Sequence, residues 1–425
     1  MNEHAQIASI RSGATALEGD DADYDDLVER AGQCRIVMLG EATHGTDEFY
    51  RMRAAISRRL IAERHFDAVA VEGDWPDCCR VDRHVRGGGD DKASAFGSLA
   101  DFQRFPRWMW RNTAVVDFID WLTVHNASLP KAERSGFYGL DMYSLYRSAD
   151  AVIDYLGTVD REQAEIARRQ YAALDHVRDP QRYGYEAVHG LRPDCGEAVR
   201  QRLAELVQRQ GEYKTADVPD PEDAYFFAER NAVVVANAES YYRAMFGSRA
   251  LSWNMRDAHM AQTLMALQAH LRAQGREGRV LVWAHNSHVG DARATEMSLG
   301  GEHNLGQLMR LVPSSGPVFL VGFTTYTGTV RAAREWGGEA ESRRVNEAVE
   351  GSYEHVFYRS GLEAFYLPFA HDAVAQLDGP LLERAIGVLY LPDTEMQSHY
   401  LYSRMPRQFD AVFHLDETHA VEPLD

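Results

Sequence analysis

Short apolar segments alternate with helical segments between residues 35 and 156, and this alternation constrains the fold more than any other feature of the chain. The apolar runs have the length of buried strands and lie at residues 35–39, 66–71 and 137–141. Helical patterns follow them at residues 47–63, from about residue 75, at 111–125 and up to about 156. Thr46 suits a helix N-cap, and Pro76 suits a first helical turn. The strand–helix–strand order predicts parallel strands joined by right-handed crossovers.

The middle of the chain has a different character. Residues 158–275 are rich in Ala, Glu, Arg and Gln with helical periodicity, and they end in two long helices near 221–246 and 252–273. Strand patterns then return at residues 279–283, 318–323, 329–332, 364–368, 386–390 and 411–415, some of them antiparallel because their connections are short. We predict an α/β fold whose mainly parallel central sheet is flanked by helices. Its parts are a first half of the α/β core at 1–157, a mostly helical insertion at 158–275 and a second half at 276–425.

The charge balance excludes two classes of partner. The formal net charge is −19, and no run of Lys or Arg offers the basic surface that nucleic acid or an anionic membrane requires. The N-terminus lacks the apolar core of a secretory signal, and no stretch approaches the ~20 apolar residues of a membrane span. No CxxC pair occurs among Cys34, Cys78, Cys79 and Cys195, which indicates free thiols in a reducing compartment. We therefore expect a cytoplasmic protein that binds neither nucleic acid nor membrane.

Charged and imidazole side chains follow four of the predicted strands, at the point where each strand ends. They are Glu41 and His44, Glu72 and Asp74, Asp141, and His285 and His288. In open α/β sheets functional groups collect beyond the carboxyl ends of the strands, where neighbouring strands lie only ~4.8 Å apart. Burying such a group of side chains is costly unless its members pair or have a task. The sequence therefore predicts a functional site at this edge of the sheet.

His44 is the strongest candidate for a general base. It precedes a predicted helix N-terminus, whose partial positive charge disfavours the imidazolium form, and a base must be neutral. Glu41 or Glu72 is the candidate carboxylate that sets its tautomer. The alternatives are a capping or core histidine for His44, and a helix cap or an arginine partner for Glu41.

The other candidate residues have roles that the sequence leaves open. His285 and His288 are candidates for catalytic or substrate contacts such as oxyanion donors, for a metal pair or for loop structure, since an isolated HxxH is a weak metal signal. Arg53 lies two turns into the first helix and is a candidate to reach back to a carboxylate or a substrate oxygen as an anion clamp, with a solvated arginine as the alternative. Trp110 ends an aromatic stretch that lines a pocket or packs in the core. Asp74 and Asp141 are either site residues or turn and cap residues.

Three motifs of common enzyme classes are absent from the sequence. No GxSxG is present, which argues against the serine triad of α/β-hydrolases. Neither GxxxxGK[ST] nor GxGxxG occurs, so no nucleotide cofactor is indicated.

Three segments together resemble the erythromycin esterase family. They are IVMLGEATHGTDEFYRMRAAISRRLI, FDAVAVEGDW and VLVWAHNSHVGD, and the C-terminal part from about residue 387 is also typical of the family. The resemblance covers most of the chain. It implies a parallel-centred α/β core with a helical insertion, grouped with ChaN-like iron- or haem-binding lipoproteins and with toxin domains.

The resemblance also implies a chemistry and a set of residues. The best-known members hydrolyse the macrolactone ester of erythromycin-type antibiotics and so confer antibiotic resistance, with a histidine base that activates water. That histidine matches His44, and the other family positions match Glu41, Arg53, Glu72, His285 and His288. The motif GEATHG and the segment Trp253–Asp257 look closer to a broad bacterial branch, some of whose members carry a phosphoribosyltransferase domain. We expect no such domain on this chain.

Two other functions compete with a metal-free hydrolase of a small ester or lactone. In the first, His285, His288 and a carboxylate hold a divalent metal that generates the nucleophile. In the second, the same cleft binds a metal, haem or small ligand without catalysis. The sequence names no cofactor with certainty.

Overall fold

A computed structural model describes residues 3–88, 94–172, 174, 179–191, 195–369 and 375–424. The strands in these ranges are β1 Thr15–Ala16, β2 Ile36–Leu39, β3 Ala68–Asp74, β4 Gly136–Asp141, β5 Val280–Trp283, β6 Val318–Ala332, β7 Glu341–Val345, β8 Ala364–Pro368, β9 Leu381–Arg384, β10 Tyr400–Ser403 and β11 Ala411–Thr418.

The described strands form one large sheet and one small one. The large sheet has the order β1-β8-β11-β6-β2-β5-β3-β4, and β7 adds to β6. From β11 to β4 every neighbouring pair is parallel, whereas β1, β7 and β8 pair antiparallel. The small sheet consists of β9 and β10. The predicted α/β fold with a mainly parallel central sheet, including antiparallel late strands, is confirmed.

Helices cover both faces of the large sheet. The α-helices of the described ranges are α1 Glu3–Gly13, α2 Asp25–Ala31, α3 Asp47–Arg64, α4 Trp75–Val85, α5 Ala95–Ser98, α6 Thr113–Ala127, α7 Leu145–Val159, α8 Arg161–Tyr171, α9 Pro180–Val188, α10 Gly196–Gln208, α11 Gln210–Tyr213, α12 Pro221–Ala244, α13 Arg249–Ala273, α14 Asn286–Val289, α15 Leu305–Leu311, α16 Tyr353–Arg359, α17 Glu395–Ser398 and α18 Met405–Gln408. None of them is long and apolar enough to cross a membrane.

Alternate side chains of each central strand enter different cores. Val37 and Leu39 of β2 pack with α2, α3, α4 and α6, whereas Ile36 and Met38 pack with α1, α13 and α16. This follows from the two-residue period of a strand, and a strand that is buried on both faces is apolar throughout. A third core joins α7 to α12 and lies mostly within the predicted insertion, while Met260, Leu264 and Leu267 of α13 pack on the sheet.

Two strand predictions near the C-terminus differ from the structure. Residues 318–323 and 329–332 belong to one continuous strand, β6, because no turn interrupts the pleat between them. Residues 386–390 are not a strand: Ile386 and Leu389 make only single bridges, to Thr43 and Ala333. Their apolar character reflects burial, since Ile386 and Tyr390 lie in a small core with Val330, Ala332 and Val345.

A buried carboxyl lies outside the strand-end edge of the large sheet. Glu383 of β9 is 1% exposed, and Gln408 donates a hydrogen bond of 3.3 Å to its Oε1. Burial, with a smaller contribution from the neighbouring Glu354, raises the pKa of Glu383 to about 8. The unfolded chain therefore loses this proton at a lower pH than the folded chain does.

We expect Glu383→Gln to stabilise the protein at pH 8 and to have much less effect at pH 5. Between these values the folded wild type holds one more proton than its unfolded state, so its stability falls by about 1.4 kcal/mol per pH unit through this group. Glutamine does not titrate and avoids this loss. Urea unfolding at pH 5, 6.5 and 8 measures the difference, with the exposed Glu350→Gln as control. A constant difference across this range would contradict the prediction.

Candidate active site

The carboxyl ends of four adjacent strands bring the predicted site residues together. In the order β2-β5-β3-β4, these ends are followed or occupied by Glu41, His285, Glu72 and Asp141. All four side chains are buried, as are those of His44 and His288. The sheet order thus places at one edge residues that are up to 244 positions apart in the chain.

The loop Gly40–Gly45 between β2 and α3 fits its surroundings only with glycine at both ends. A Cβ on Gly40 would lie 2.1 Å from Oδ1 of Asn286, and a Cβ on Gly45 would lie 2.0 Å from the carbonyl oxygen of Arg331. The carbonyl of Glu41 accepts a hydrogen bond from the backbone N–H of Asn286 at 2.8 Å. The loop is therefore held between β5 and β6, and this contact positions Glu41 and His44.

His44, Glu41 and Arg53 form a line from the cavity into the core. Nδ1 of His44 lies 2.9 Å from Oε1 of Glu41, and Nη2 of Arg53 lies 2.7 Å from Oε2 of Glu41. A carboxylate accepts only, so Nδ1 carries the proton and Nε2 is free to accept one. Arg53 has no exposed surface and packs over the rings of Tyr50 and Trp283, at 4.5 and 5.2 Å. The structure therefore places Arg53 behind Glu41 and not at the cavity surface.

Glu72 lies at the centre of the charged groups. Its Oε1 lies 2.7 Å from Nη2 of Arg256, 3.5 Å from Nε2 of His288 and 3.9 Å from Nε2 of His44. Its Oε2 accepts the backbone N–H of His285 at 2.8 Å. Burial by itself raises the pKa of Glu72, but the neighbouring positive charges and this N–H outweigh burial and hold the pKa well below its usual range. Glu72 is therefore ionised at neutral pH.

Two further residues of the site come from α13, and the sequence reasoning did not include them among the site residues. Arg256 donates to both oxygens of Asp141, at 3.1 Å from Nε and 2.6 Å from Nη2, as well as to Glu72. Asp257 has no exposed surface and lies 2.9 Å from Nδ1 of His288. The segment WNMRD was noted in the sequence only as a mark of a branch of the family. Its Arg–Asp pair in a helix that approaches the site was the available signal.

The two late histidines have different environments. His285 is neutral because burial lowers its pKa to about 3. Its Nε2 donates to the carbonyl of Ala42 at 3.2 Å, and its Nδ1 accepts the backbone N–H of Ser287. Burial lowers the pKa of His288 as well, but the carboxylates of Asp257 and Glu72 outweigh burial and raise it.

The surroundings of His285 and His288 do not fit the metal site that was one of the alternatives from the sequence. Both ring nitrogens of His285 have protein partners, and Nε2 of His288 lies 3.0 Å from the guanidinium Nη1 of Arg256. A metal ion at His288 would face this fixed positive charge. Among the residues that the structure describes, no group of three or more His, Cys, Asp or Glu side chains is arranged to hold a metal ion.

A polar cavity of about 180 Å³ opens beside His44. Glu72, Asp74, Asp141, Trp110 and Arg256 line it, so four of the predicted residues besides His44 reach its wall. Asp141 is ionised, because the contacts with Arg256 outweigh its burial and lower its pKa. The indole N–H of Trp110 donates to the backbone carbonyl of Glu72 at 3.2 Å, so this ring contributes an apolar surface.

A second group of charged residues, which consists of Asp74, Asp77 and Arg104, also lines the cavity. Nε of Arg104 donates to Oδ2 of Asp74 at 3.0 Å, while Arg147 donates to Asp77. Asp74 is 5% exposed, and its Oδ1 has no hydrogen-bond partner among the described residues. Burial, followed by the charge of Asp74, raises the pKa of Asp77 to about 8.

Known proteins of similar sequence or structure cover nearly the whole chain. The chain is 22% identical over 435 residues to the erythromycin esterase type II of Escherichia coli, with 96% of each protein covered. Among solved structures, a Bacillus cereus protein gives a TM-score of 0.80 at 17% identity, over 100% of this chain and 99% of the other. A succinoglycan biosynthesis protein gives 0.77 at 20% identity, with the same coverage. A histidine-to-asparagine mutant of the erythromycin esterase EreC, in its open conformation, gives 0.68 at 16% identity over 96% of each chain.

The match to a family profile decides the classification. The profile named Erythromycin esterase matches residues 61–418, which is most of the chain, although it begins within α3 after Glu41 and His44. The predicted resemblance is therefore confirmed, and the chain belongs to the erythromycin esterase family.

Proposed function

We propose that this protein hydrolyses a carboxylic ester or lactone, with His44 as the base that activates water. One observation carries the proposal: Nδ1 of His44 is held by Glu41 at 2.9 Å, which leaves Nε2 unprotonated in a residue that lines the cavity. Nε2 and Oε1 of Glu72 are 3.9 Å apart, too far for a direct hydrogen bond but suitable for a water molecule between them. Family membership supports hydrolytic chemistry.

In the proposed reaction, Nε2 of His44 takes a proton from this water as the oxygen attacks the carbonyl carbon of the substrate. The imidazolium that forms is stabilised by the carboxylates of Glu41 and Glu72. The tetrahedral intermediate then collapses, the bond from carbon to the leaving oxygen breaks, and His44 returns its proton to that oxygen. The products are the acid and the alcohol, and the protein is unchanged.

We assign the stabilisation of the oxyanion to Arg256. Its guanidinium lines the cavity and stays charged, because Asp141 and Glu72 raise its pKa well above the usual range although burial lowers it. The two carboxylates also orient it, since three hydrogen bonds fix its plane. Glu41, Arg53, His285 and His288 support the arrangement: Arg53 balances the charge of Glu41, and His285 positions the Gly40–Gly45 loop through the carbonyl of Ala42.

We expect Arg256→Lys to lower kcat by a factor of about 10²–10³, the usual cost of losing an oxyanion donor. A lysine keeps the charge but has neither the plane nor the number of donors that hold Asp141 and Glu72. Steady-state kinetics on a hydrolysed ester measures the effect. Arg249→Lys is the matched control, since Arg249 begins the same helix and its side chain is 85% exposed. An unchanged kcat with only a raised KM would contradict the assignment to the oxyanion.

A hydrolysis screen tests the proposed function. It combines erythromycin, simple lactones and small acetate esters, measured by acid release, with His44→Asn as the blank. An ester that the wild type hydrolyses and His44→Asn does not supports the proposal. Equal rates of hydrolysis by the two proteins contradict it.

A more specific form of the proposed function is the inactivation of macrolides, and with it antibiotic resistance. The Escherichia coli relative is named for erythromycin, and its resemblance motivates the inclusion of this substrate in the screen. The cavity of about 180 Å³ is smaller than the about 300–1,000 Å³ of pockets that enclose drug-sized ligands. In this conformation it accepts one ring-sized group, with the rest of a larger substrate outside. We place the activity in the cytoplasm, in keeping with the cysteine usage.

A further inference from the structure

The cavity contains a hydrogen-bond acceptor that the proposed mechanism does not use. Asp74 lies at the end of β3, 95% buried, and its Oδ1 has no partner in the described parts of the chain. Its other oxygen is paired with Arg104 at 3.0 Å. A buried carboxylate oxygen without a partner costs free energy, so it requires a donor from a ligand or from water.

The charges around Asp74 favour a neutral donor. Arg104 already balances the charge of Asp74 and lines the same cavity, so a ligand ammonium would meet a cation beside its partner. A hydroxyl group avoids this repulsion. It can donate to Oδ1 and also accept from an N–H of the adjacent guanidinium, because a hydroxyl both donates and accepts.

An exposed aromatic ring stands at the edge of the same cavity. Trp336, in the turn between β6 and β7, lines the cavity and is 54% exposed. Its ring meets Phe105 edge-on, with centroids 5.1 Å apart and planes at 65°. Such an arrangement leaves a flat apolar surface beside polar groups, which suits the C–H face of a saturated ring that carries hydroxyl groups.

We propose that the substrate is an ester of a polyhydroxylated ring such as a sugar, with Asp74 bound to a ring hydroxyl and Trp336 packed on the face of the ring. This inference rests on the proposed hydrolase function and names its substrate class. The cavity of about 180 Å³ agrees with it, because Asp74, Trp336 and His44 all line this one space. Asp74 and Trp336 are then specificity residues for the reaction at His44.

Two acetates of similar size, of which only one carries ring hydroxyl groups and a ring oxygen, test this inference. They are 6-O-acetylglucose and cyclohexylmethyl acetate, which share a six-membered ring and a primary ester. We expect the wild type to prefer the sugar ester in kcat/KM by at least 100-fold, because the other ester leaves Asp74 without a donor. Asp74→Asn should reduce this preference by about 10–100-fold, the range for a hydrogen bond to a charged group. Trp336→Ala should reduce it about tenfold, and Trp336→Phe should retain most of it.

Binding to an inactive protein separates this inference from the proposed function. Calorimetric titration of His44→Asn with 6-O-acetylglucose should show binding that the added Asp74→Asn change weakens at least tenfold, with the exposed Asp393→Asn as control. Such binding without any turnover by the wild type would contradict the hydrolase function and support the sugar site. Turnover of both esters with equal kcat/KM, or no binding of the sugar ester, would overturn the sugar site alone. An Asp74→Asn protein with an unchanged preference would indicate that water, and not a ligand, satisfies Oδ1.

Discussion

Replacing His44 with asparagine is expected to lower kcat by a factor of about 10²–10⁴, the usual contribution of a general base. In the wild type Nδ1 of His44 lies 2.9 Å from Oε1 of Glu41, and the side-chain amide of asparagine can donate to the same oxygen, so this contact is retained. What is lost is Nε2, the atom that faces the cavity and accepts the proton of water. The rate should therefore fall in kcat, while binding of the substrate changes little.

A matched control lies at the other end of α3. His65 follows the last residue of α3, is exposed and has a positive φ of 56°, a conformation that asparagine adopts readily. His65→Asn should keep wild-type kcat. Circular dichroism and thermal unfolding of both variants show whether the fold is retained. Hydrolysis by His44→Asn within threefold of wild type, on a substrate that the wild type turns over, would exclude His44 as the base.

Most residues of the candidate site could be identified in the sequence by one rule: functional groups follow the carboxyl ends of parallel strands. Glu41, Glu72, Asp141 and His285 follow or end four strands, and the order β2-β5-β3-β4 makes these strands neighbours. The inference works because a buried parallel strand is recognisable as a short apolar run, and its carboxyl end is then defined within a residue or two. The pairing of His44 with Glu41 also follows from their spacing of three residues.

Arg256 and Asp257 could not be placed in the same way. They lie in the second turn and in the third turn of a 25-residue helix, and which of its side chains reach the sheet depends on how α13 packs. Trp253 shows the same dependence, since its ring stacks on His288 at 4.6 Å across a separation of 35 residues. For Arg53 the sequence left a carboxylate or a substrate oxygen as possible partners, and the structure shows the carboxylate of Glu41, 2.7 Å from Nη2.

Short strands and buried loops were the other source of error. β1 has two residues, and the four-residue strands β9 (LLER) and β10 (YLYS) mix apolar and polar side chains. The recognised four-residue strands β2 (IVML) and β5 (VLVW) are apolar throughout. Residues 386–390 look like a strand because burial alone selects apolar residues, and Val388 among them lines the cavity. The pattern of apolar residues in a sequence indicates which residues are buried. It does not show directly which segments pair through backbone hydrogen bonds in a sheet.

The charge balance of the site explains why Arg53 matters. The carboxylates of Glu41, Glu72, Asp141 and Asp257 outnumber the guanidiniums of Arg53 and Arg256, so the site favours a proton on an imidazole. In the proposed reaction, such an excess stabilises the imidazolium of His44 when it forms. Arg53 offsets part of the excess, because its guanidinium lies 2.7 Å from Oε2 of Glu41, on the side opposite His44.

Replacing Arg53 with methionine is therefore expected to reduce stability by about 3–5 kcal/mol, the usual cost of leaving a buried charge without its partner. Glu41 would also lose the guanidinium that holds its carboxylate beside His44, so kcat should fall in the protein that still folds. Urea unfolding measures the first effect, and steady-state kinetics on the folded variant measures the second. Arg51→Met is the matched control: Arg51 lies on the same helix, its side chain is 51% exposed, and its pair with Asp47 is worth at most about 1 kcal/mol. Wild-type stability of Arg53→Met would contradict the first expectation, and wild-type kcat would contradict the second.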